Sequence, residues 1–241
     1  TDVDVNRMYH DYGFTSYVLS ADQHAGASTL CFLKEALKYQ SPKVVFIDVQ
    51  SMSHGYITDN ISAHYSYDFM KDGLNKLQGI QCLRGVNKEE LLFRFGRYHA
   101  RWEEIEKRDF EYLTVNRSNY LNGSLLYMMS IASTVPTAYE ETDCTLDEIG
   151  YEDTKECLDN VLNFCREKNI ECVLFRTPNS YTYAQSKYCD AVENYAKSEG
   201  ILFWDFNDYH EENGVDFATD FIDGQHMSHI GSGRFSELLG A

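Results

Sequence analysis

The residues best suited to chemistry lie near the carboxyl terminus, where residues 220–231 hold two aspartates and two histidines. Asp223 precedes His226 by three positions, and none of the other seven histidines has an aspartate three positions before it. A histidine held by a carboxylate at one ring nitrogen can use the other nitrogen as a base at neutral pH. The spacing therefore predicts a catalytic pair in which Asp223 orients His226.

Two other interpretations of this stretch stay open. Asp223-Gly224-Gln225 is also a turn sequence, in which the aspartate bonds its own backbone and the histidines sit on a surface helix. Alternatively, Asp220, Asp223, His226 and His229 are spaced by three, and their oxygen and nitrogen atoms suit zinc or manganese. We favour the catalytic pair and expect neither a metal nor an organic cofactor.

Composition limits the partners and the domain count. A chain of 241 residues fits one α/β domain spanning residues 1–241. Acids outnumber bases 38 to 21 and the net charge is −17, which disfavours nucleic acid and anionic membranes. No apolar run reaches the roughly 18 to 20 residues that cross a bilayer, so we expect no membrane segment. The seven cysteines include no C-x-x-C pair and are expected to be reduced core residues.

Strands and helices alternate in the hydrophobic pattern. The pattern predicts strands at residues 14–19, 43–49, 170–175 and 201–206. It predicts helices at residues 5–12, 24–39, 68–83, 87–95, 151–168 and 181–198, one beginning at 98–102, and a closing helix. Such alternation is typical of an α/β fold with a parallel sheet covered by helices on both faces.

The loops between these elements carry further candidates. Residues 50–66 are largely polar and are expected to form a loop leaving the carboxyl end of the second strand, where open α/β sheets bind ligands. His54 lies in that loop and is a candidate for substrate contact. Residues 113–147 lack a regular pattern and are the best candidate for an insertion or lid.

Several of these segments resemble the SGNH, or GDSL-like, hydrolases, and within them the branch of polysaccharide O-acetylation and teichoic-acid D-alanylation proteins. The resemblance covers nearly the whole chain and is carried by Asp223-x-x-His226 with Gly231 behind it, by residues 215–221, by Tyr98-His99-Ala100-Arg101-Trp102 and by Pro42-Lys43-Val44-Val45. It implies a three-layer α/β/α sandwich with a mostly parallel, flavodoxin-like sheet. It also implies that His226 is the general base and that Asp223 orients it.

The nucleophilic serine of these hydrolases stands in a Gly-x-Ser block at the end of the first strand, and this chain has no such block. We therefore expect the family's first strand and its serine to lie upstream of Thr1. Ser20 follows a predicted strand and precedes a predicted helix, which also suits a nucleophile elbow or a helix cap. The family order favours Ser20 as part of the oxyanion hole, with Gln23 nearby as a donor to substrate or oxyanion.

His99 and Arg101 are candidates for substrate binding through the same resemblance, although an arginine and a tryptophan on one helix are more often structural. The resemblance implies a serine esterase or O-acyltransferase that acts on acyl, chiefly acetyl, esters of a polysaccharide or cell-envelope glycan, or on a small ester. A non-catalytic glycan-binding module on the same fold is the alternative. An upstream signal or anchor would indicate an extracytoplasmic or cell-envelope location, and its absence a cytoplasmic one.

Overall fold

A three-stranded parallel sheet lies at the centre of the computed structural model, which describes residues 2–93, 101–107, 110, 120–135, 140–179, 183–207 and 214–241. The strands are β1 (Val44–Asp48), β2 (Glu171–Arg176) and β3 (Leu202–Asp205), in the order β1-β2-β3. Their apolar runs match three of the predicted strands. The protein is therefore a mixed α/β protein, as the alternation of patterns predicts.

Helices precede, separate and follow the strands along the chain, and all but α3 and α4 fall within or begin at segments predicted to be helical. They are α1 (Val5–Tyr12), α2 (Gly26–Ala36), α3 (Val49–Met52), α4 (Asn60–Tyr67), α5 (Leu74–Cys82), α6 (Lys88–Leu92), a 3₁₀ helix (Arg101–Glu104), α7 (Glu152–Lys168), α8 (Tyr183–Glu199) and α9 (His229–Gly240). None of the described helices is both long and apolar enough to span a bilayer.

Local signals set several of the helix ends. Asp4 begins α1 because its side chain accepts hydrogen bonds from the amides of Asn6 and Arg7, and Gly13 ends it in the left-handed conformation at φ 75°. Asn87 caps α6 through the amide of Glu90 at 3.3 Å. These ends agree with the predicted ones because caps and stops depend on neighbouring residues alone.

One face of the sheet is buried by helices. Val45 and Ile47 of β1, Leu174 of β2 and Phe203 of β3 pack against α2, α7 and α8, and the aliphatic core there includes Leu158 and Val192. A separate apolar cluster joins the other side of α2 to α4, α5 and α6 through Phe32, Tyr67, Ile80 and Leu91. Helix α2 therefore ties the sheet to the helices that follow β1.

The opposite face of the sheet is only partly covered. Helix α9 covers its carboxyl end, where the ring of Phe235 stacks on that of Phe175 with centroids 6.4 Å apart. Further along this face the rings of Phe46 and Trp204 meet 5.9 Å apart over β2, yet they remain 40% and 38% exposed. Three aromatic side chains from three strands thus shield one another in place of a helix.

Two of the sequence expectations for this region are wrong. Residues 14–19 form no strand: Val18 donates to the carbonyl of Asn122 at 2.9 Å, and Phe14 and Tyr17 are exposed. A strand needs a neighbouring strand, and among the described residues this segment has none. Residues 50–66 are not a plain loop, since they contain most of α3 and α4, which Asp48 and Asp59 cap.

Other predicted elements differ in extent. The helix expected at residues 68–83 begins only at Leu74, and the one expected at 98–102 is a 3₁₀ helix from Arg101, with residues 98–100 outside the described part. Within residues 113–147, the described stretches 120–135 and 140–147 contain neither helix nor strand, apart from a single bridge of Tyr127 to Ser228. The irregular pattern correctly predicted irregular backbone there.

Opposite faces of the sheet give a direct stability test. Leu174→Ala removes a fully buried side chain and is expected to lower the free energy of unfolding by about 2–5 kcal/mol, because it leaves a cavity. Leu202→Ala, at a half-exposed position on the other face, is the matched control and is expected to cost less than about 1 kcal/mol. Urea denaturation measures both, and equal costs would contradict this assignment of the covered face.

Candidate functional site

The structure brings Asp223 and His226 together in the loop before α9. Oδ2 of Asp223 lies 2.8 Å from Nδ1 of His226. Oδ1 of the same carboxylate accepts the amides of Gln225 at 2.7 Å and His226 at 2.8 Å. The aspartate therefore forms the turn and holds the imidazole at once. The predicted contact is present, and His226 lies in the turn itself rather than on a helix, since α9 begins at His229.

The electrostatics of the pair favour a base. Partial burial opposes ionisation of Asp223, but the hydrogen bonds from the His226 ring and from the amides of Gln225 and His226 together hold the pKa of this carboxyl below its usual value. A carboxylate on Nδ1 selects the tautomer with its proton there and leaves Nε2 as a proton acceptor. Both side chains are about half exposed, so the pair lies at the protein surface.

Buried residues on either side close this loop. Phe221 and Met227 are buried and form an antiparallel bridge, and the amide of Ile222 donates to the carbonyl of His226 at 3.0 Å. The residues between them project outward as a tight hairpin. Because Phe221 and Met227 are buried, the polar residues between them, including Asp223 and His226, lie at the surface.

Asp220 fixes the hairpin to α9. Its side chain is inaccessible to solvent and accepts Arg234 Nη1 at both oxygens, at 2.9 and 3.1 Å, and the amide of Asp216 at 2.8 Å. Gly231 is required at the crossing, because a Cβ there would come within 2.2 Å of the Asp220 carbonyl oxygen. Ser228 caps α9 by accepting from the amide of Gly231.

Tyr127 belongs to the site although nothing in the sequence singled it out. Its ring packs edge-on against His226 with centroids 6.2 Å apart. Its carbonyl oxygen accepts the amide of His229 at 2.7 Å and lies 3.2 Å from Nδ1 of the same residue. His229 therefore holds the irregular segment next to the pair.

The alternative metal site is not supported by these contacts. The carboxylate of Asp220 is engaged by Arg234, and Nδ1 of His229 faces a carbonyl oxygen. Within the described part of the chain, no three histidine, cysteine or acidic side chains are grouped so that they could hold a metal ion. The four residues spaced by three therefore serve different structural purposes.

The expected oxyanion residues are not joined to the pair by any contact that the structure describes. Ser20 and Gln23 are exposed, and the N-cap of α2 is Ala25, so Ser20 is not a helix cap. Gln23 adopts a positive φ of 41°, and its carbonyl oxygen lies 3.5 Å from Thr58 Oγ1. Their roles in binding stay predictions.

His54 is exposed after α3 and lies near a buried histidine that sequence reasoning missed. Burial, with a smaller contribution from His54, lowers the pKa of His24 to about 4. The His24 ring packs edge-on against Phe32, and its Nε2 lies 3.1 Å from Thr29 Oγ1. His99 and the side chain of Arg101 lie outside the described residues.

The carboxyl ends of the strands carry a second polar group. Arg176 and Asp205 form a buried ion pair at 3.2 Å, and Asn179 accepts from the same guanidinium group at 3.2 Å. Asp48 ends β1 at this edge, and Asp2 reaches the hairpin by accepting the amide of Met227 at 2.9 Å. Ligands of open α/β sheets bind at the carboxyl ends of parallel strands, which is why this edge was expected to carry the site. The hydrophobic pattern of the sequence did not predict which side chains lie there.

Comparison with protein-family models, with curated proteins and with solved structures finds no match to this chain. The site must therefore be interpreted from its own geometry.

The Asp220–Arg234 pair gives a prediction for the stability of the site. Arg234→Met leaves a buried carboxylate without its cation and is expected to lower the free energy of unfolding by about 3 kcal/mol. Lys155→Met removes only long, exposed ion pairs and is the control, expected to cost less than about 0.5 kcal/mol. Chemical denaturation compares them. The single variant Asp220→Asn and the double variant Asp220→Asn/Arg234→Met complete a double-mutant cycle. If the double variant lost as much unfolding free energy as the two single variants together, the two groups would not interact.

Proposed function

We propose that this protein is an SGNH-type serine esterase or O-acyltransferase that acts on acyl esters, chiefly acetyl esters, of a polysaccharide or cell-envelope glycan. The observation that carries the proposal is the 2.8 Å contact of Asp223 Oδ2 with Nδ1 of a half-exposed His226. This is the arrangement in which an imidazole serves as general base toward a hydroxyl group. The glycan and the acetyl group rest on the family resemblance alone.

The reaction needs a serine at Nε2 of His226. The serine oxygen attacks the ester carbonyl while Nε2 takes the hydroxyl proton, and the tetrahedral intermediate then expels the alcohol oxygen, which receives that proton. Water or a second sugar hydroxyl attacks the acyl-serine in the reverse sequence and regenerates the serine. Asp223 stabilises the imidazolium in both halves, so hydrolase and transferase use the same two residues.

We place the serine on a strand upstream of Thr1 that pairs with the outer edge of β1. Among the described strands, β1 has a neighbour on one side only, and its exposed Val44 and Phe46 lie beside the uncovered sheet face. Open edges and apolar sheet faces of this kind normally pack against further elements. A strand there would also offer the apolar residues of segment 14–19 a partner, and helices with it would complete a three-layer sandwich.

A non-catalytic glycan-binding module is the second candidate. It is favoured by one observation: within the described residues, no serine, threonine or cysteine makes a hydrogen bond with His226. The half-buried ring of Tyr127 beside the imidazole is suited to stack on a sugar in either case. Turnover of an ester by the protein with its native N-terminal sequence separates the two candidates.

Substitution of the pair tests the catalytic proposal. In the protein with its native N-terminal sequence, His226→Ala is expected to lower kcat/KM for p-nitrophenyl acetate by about a thousandfold or more, because the base is lost. His10→Ala is the matched control, since His10 also pairs with a neighbouring aspartate but is far more exposed on α1. An unchanged rate in His226→Ala would show that the base has been misassigned.

The position of the proposed strand can be tested by fluorescence. In a Trp102→Phe variant, Trp204 is the sole tryptophan of residues 1–241 and reports on the partly covered sheet face. We expect acrylamide to quench it readily in the chain that begins at Thr1 and much less when the upstream coding sequence is added. Trp102 in a Trp204→Phe variant is the control and should stay accessible in both. Equal quenching of Trp204 in the two chains would contradict docking on this face.

A further inference from the structure

Asp48 combines a position at the carboxyl edge of the sheet with apolar surroundings. It ends β1 in register with Phe175, which is in turn in register with Trp204. Residues in register share a face, so the carboxyl group lies beside aromatic rings on the face that also carries α9. The residue as a whole is half-buried.

The contacts of this carboxyl group leave part of it unused. One oxygen, Oδ1, accepts the amide of Gln50 at 3.0 Å and so caps α3. The described residues provide no hydrogen bond to Oδ2. Arg176, the cation on β2, is paired with Asp205, and the described residues form no ion pair with Asp48.

These surroundings favour the neutral acid. Burial raises the pKa of Asp48 to about 7, the amide of Gln50 and the charge of Arg176 oppose this, and the charge of Asp2 adds to it. Tyr188 of α8 is a further titratable group near this end of β1; it is buried and donates to the carbonyl of Val49 at 2.8 Å. At neutral pH a large share of Asp48 therefore carries a proton that it can donate.

Asp2 links this acid to the catalytic pair. Its carboxylate accepts the amide of Met227, the residue after His226, at 2.9 Å. It is also close enough to Asp48 for its charge to raise the pKa of that group. Asp2 is therefore near both Asp48 and the hairpin that carries His226.

We propose that Asp48 belongs to the reaction centre and that its neutral carboxyl group donates a hydrogen bond to the ester oxygen on which negative charge develops. The inference rests on the proposed function and adds a catalytic residue to it. A neutral acid in apolar surroundings is suited to this because it supplies a donor without placing a second negative charge beside the oxyanion. The role also gives a purpose to the oxygen that capping leaves unused.

Two substitutions separate this role from capping. Asparagine and serine both cap helices as aspartate does, so neither should unfold the protein. Asp48→Asn keeps a donor at the same distance, whereas the shorter side chain of Asp48→Ser does not reach as far. Asp147→Asn, an exposed aspartate in a long ion pair with Lys155, is the control for the loss of one charge.

The main experiment is the pH profile of kcat/KM for p-nitrophenyl acetate, in the protein with its native N-terminal sequence. We expect the wild-type rate and that of Asp147→Asn to fall above about pH 7 as the Asp48 proton is lost. Asp48→Asn should lose this alkaline fall, and Asp48→Ser should be roughly 10²–10³-fold slower at every pH, as when one oxyanion donor is removed. An alkaline fall retained in Asp48→Asn, or an Asp48→Ser rate close to that of the wild type, would overturn the inference.

A second measurement distinguishes failure of this inference from failure of the proposed function. The Asp48 carboxyl is followed by ¹³C NMR with and without sodium acetate, the product of an acetyl esterase. Acetate should raise the titration midpoint, since its carboxylate accepts a hydrogen bond from the neutral acid. A raised midpoint without ester turnover would support the donor and refute the esterase, whereas turnover with an unmoved midpoint would refute the donor alone.

Discussion

The central strand β2 sets the main constraint on this structure, because it is the described strand with a neighbour on each side. A parallel strand in that position must be covered on both faces. Helices α2, α7 and α8 cover one face with an aliphatic core. On the other face, Val173 is buried while aromatic rings from β1 and β3 close over it and stay partly exposed themselves. One face of the sheet is therefore fully packed, whereas the other leaves apolar side chains on which a further element could pack.

The candidate site depends on this same uneven face. Helix α9 lies on its carboxyl end, and the ring of Phe235 packs on Phe175 of β2. The hairpin before α9 is held by the buried Asp220 and by Met227, so the position of His226 follows from the docking of α9 on the sheet. Substitutions that loosen the packing of α9 would therefore displace the imidazole of His226 although they do not contact it.

The sequence predicted well what depends on near neighbours. Asp223 and His226 are three residues apart and meet through a turn that the aspartate itself stabilises, so their contact needed no knowledge of the fold. The bounds of α1 agree with the predicted residues 5–12, and the structure shows that Asp4 and Gly13 set them locally. The long helices α7 and α8 and the three strands have strong hydrophobic patterns, and those patterns gave the α/β class.

What the sequence missed depends on distant residues. Segment 14–19 has the composition of a strand, but a strand exists only where another strand supplies its hydrogen bonds. Tyr127 is about a hundred residues before His226 along the chain and lies in a stretch without periodicity, so no pattern could bring their rings together. Ser20 was predicted from its place between a strand and a helix, and that reasoning weakens because the strand is not formed.

Asp48 illustrates how one residue can satisfy a local and a distant requirement together. As the N-cap of α3 it is explained by the next two residues, and many caps of this kind are fully solvated. Its raised pKa comes instead from burial against the sheet, since register with Phe175 places the carboxyl group beside apolar rings. Capping alone would tolerate an exposed aspartate in this position. Placing a carboxyl group in apolar surroundings costs free energy, and capping does not account for that cost. A role in catalysis would account for it.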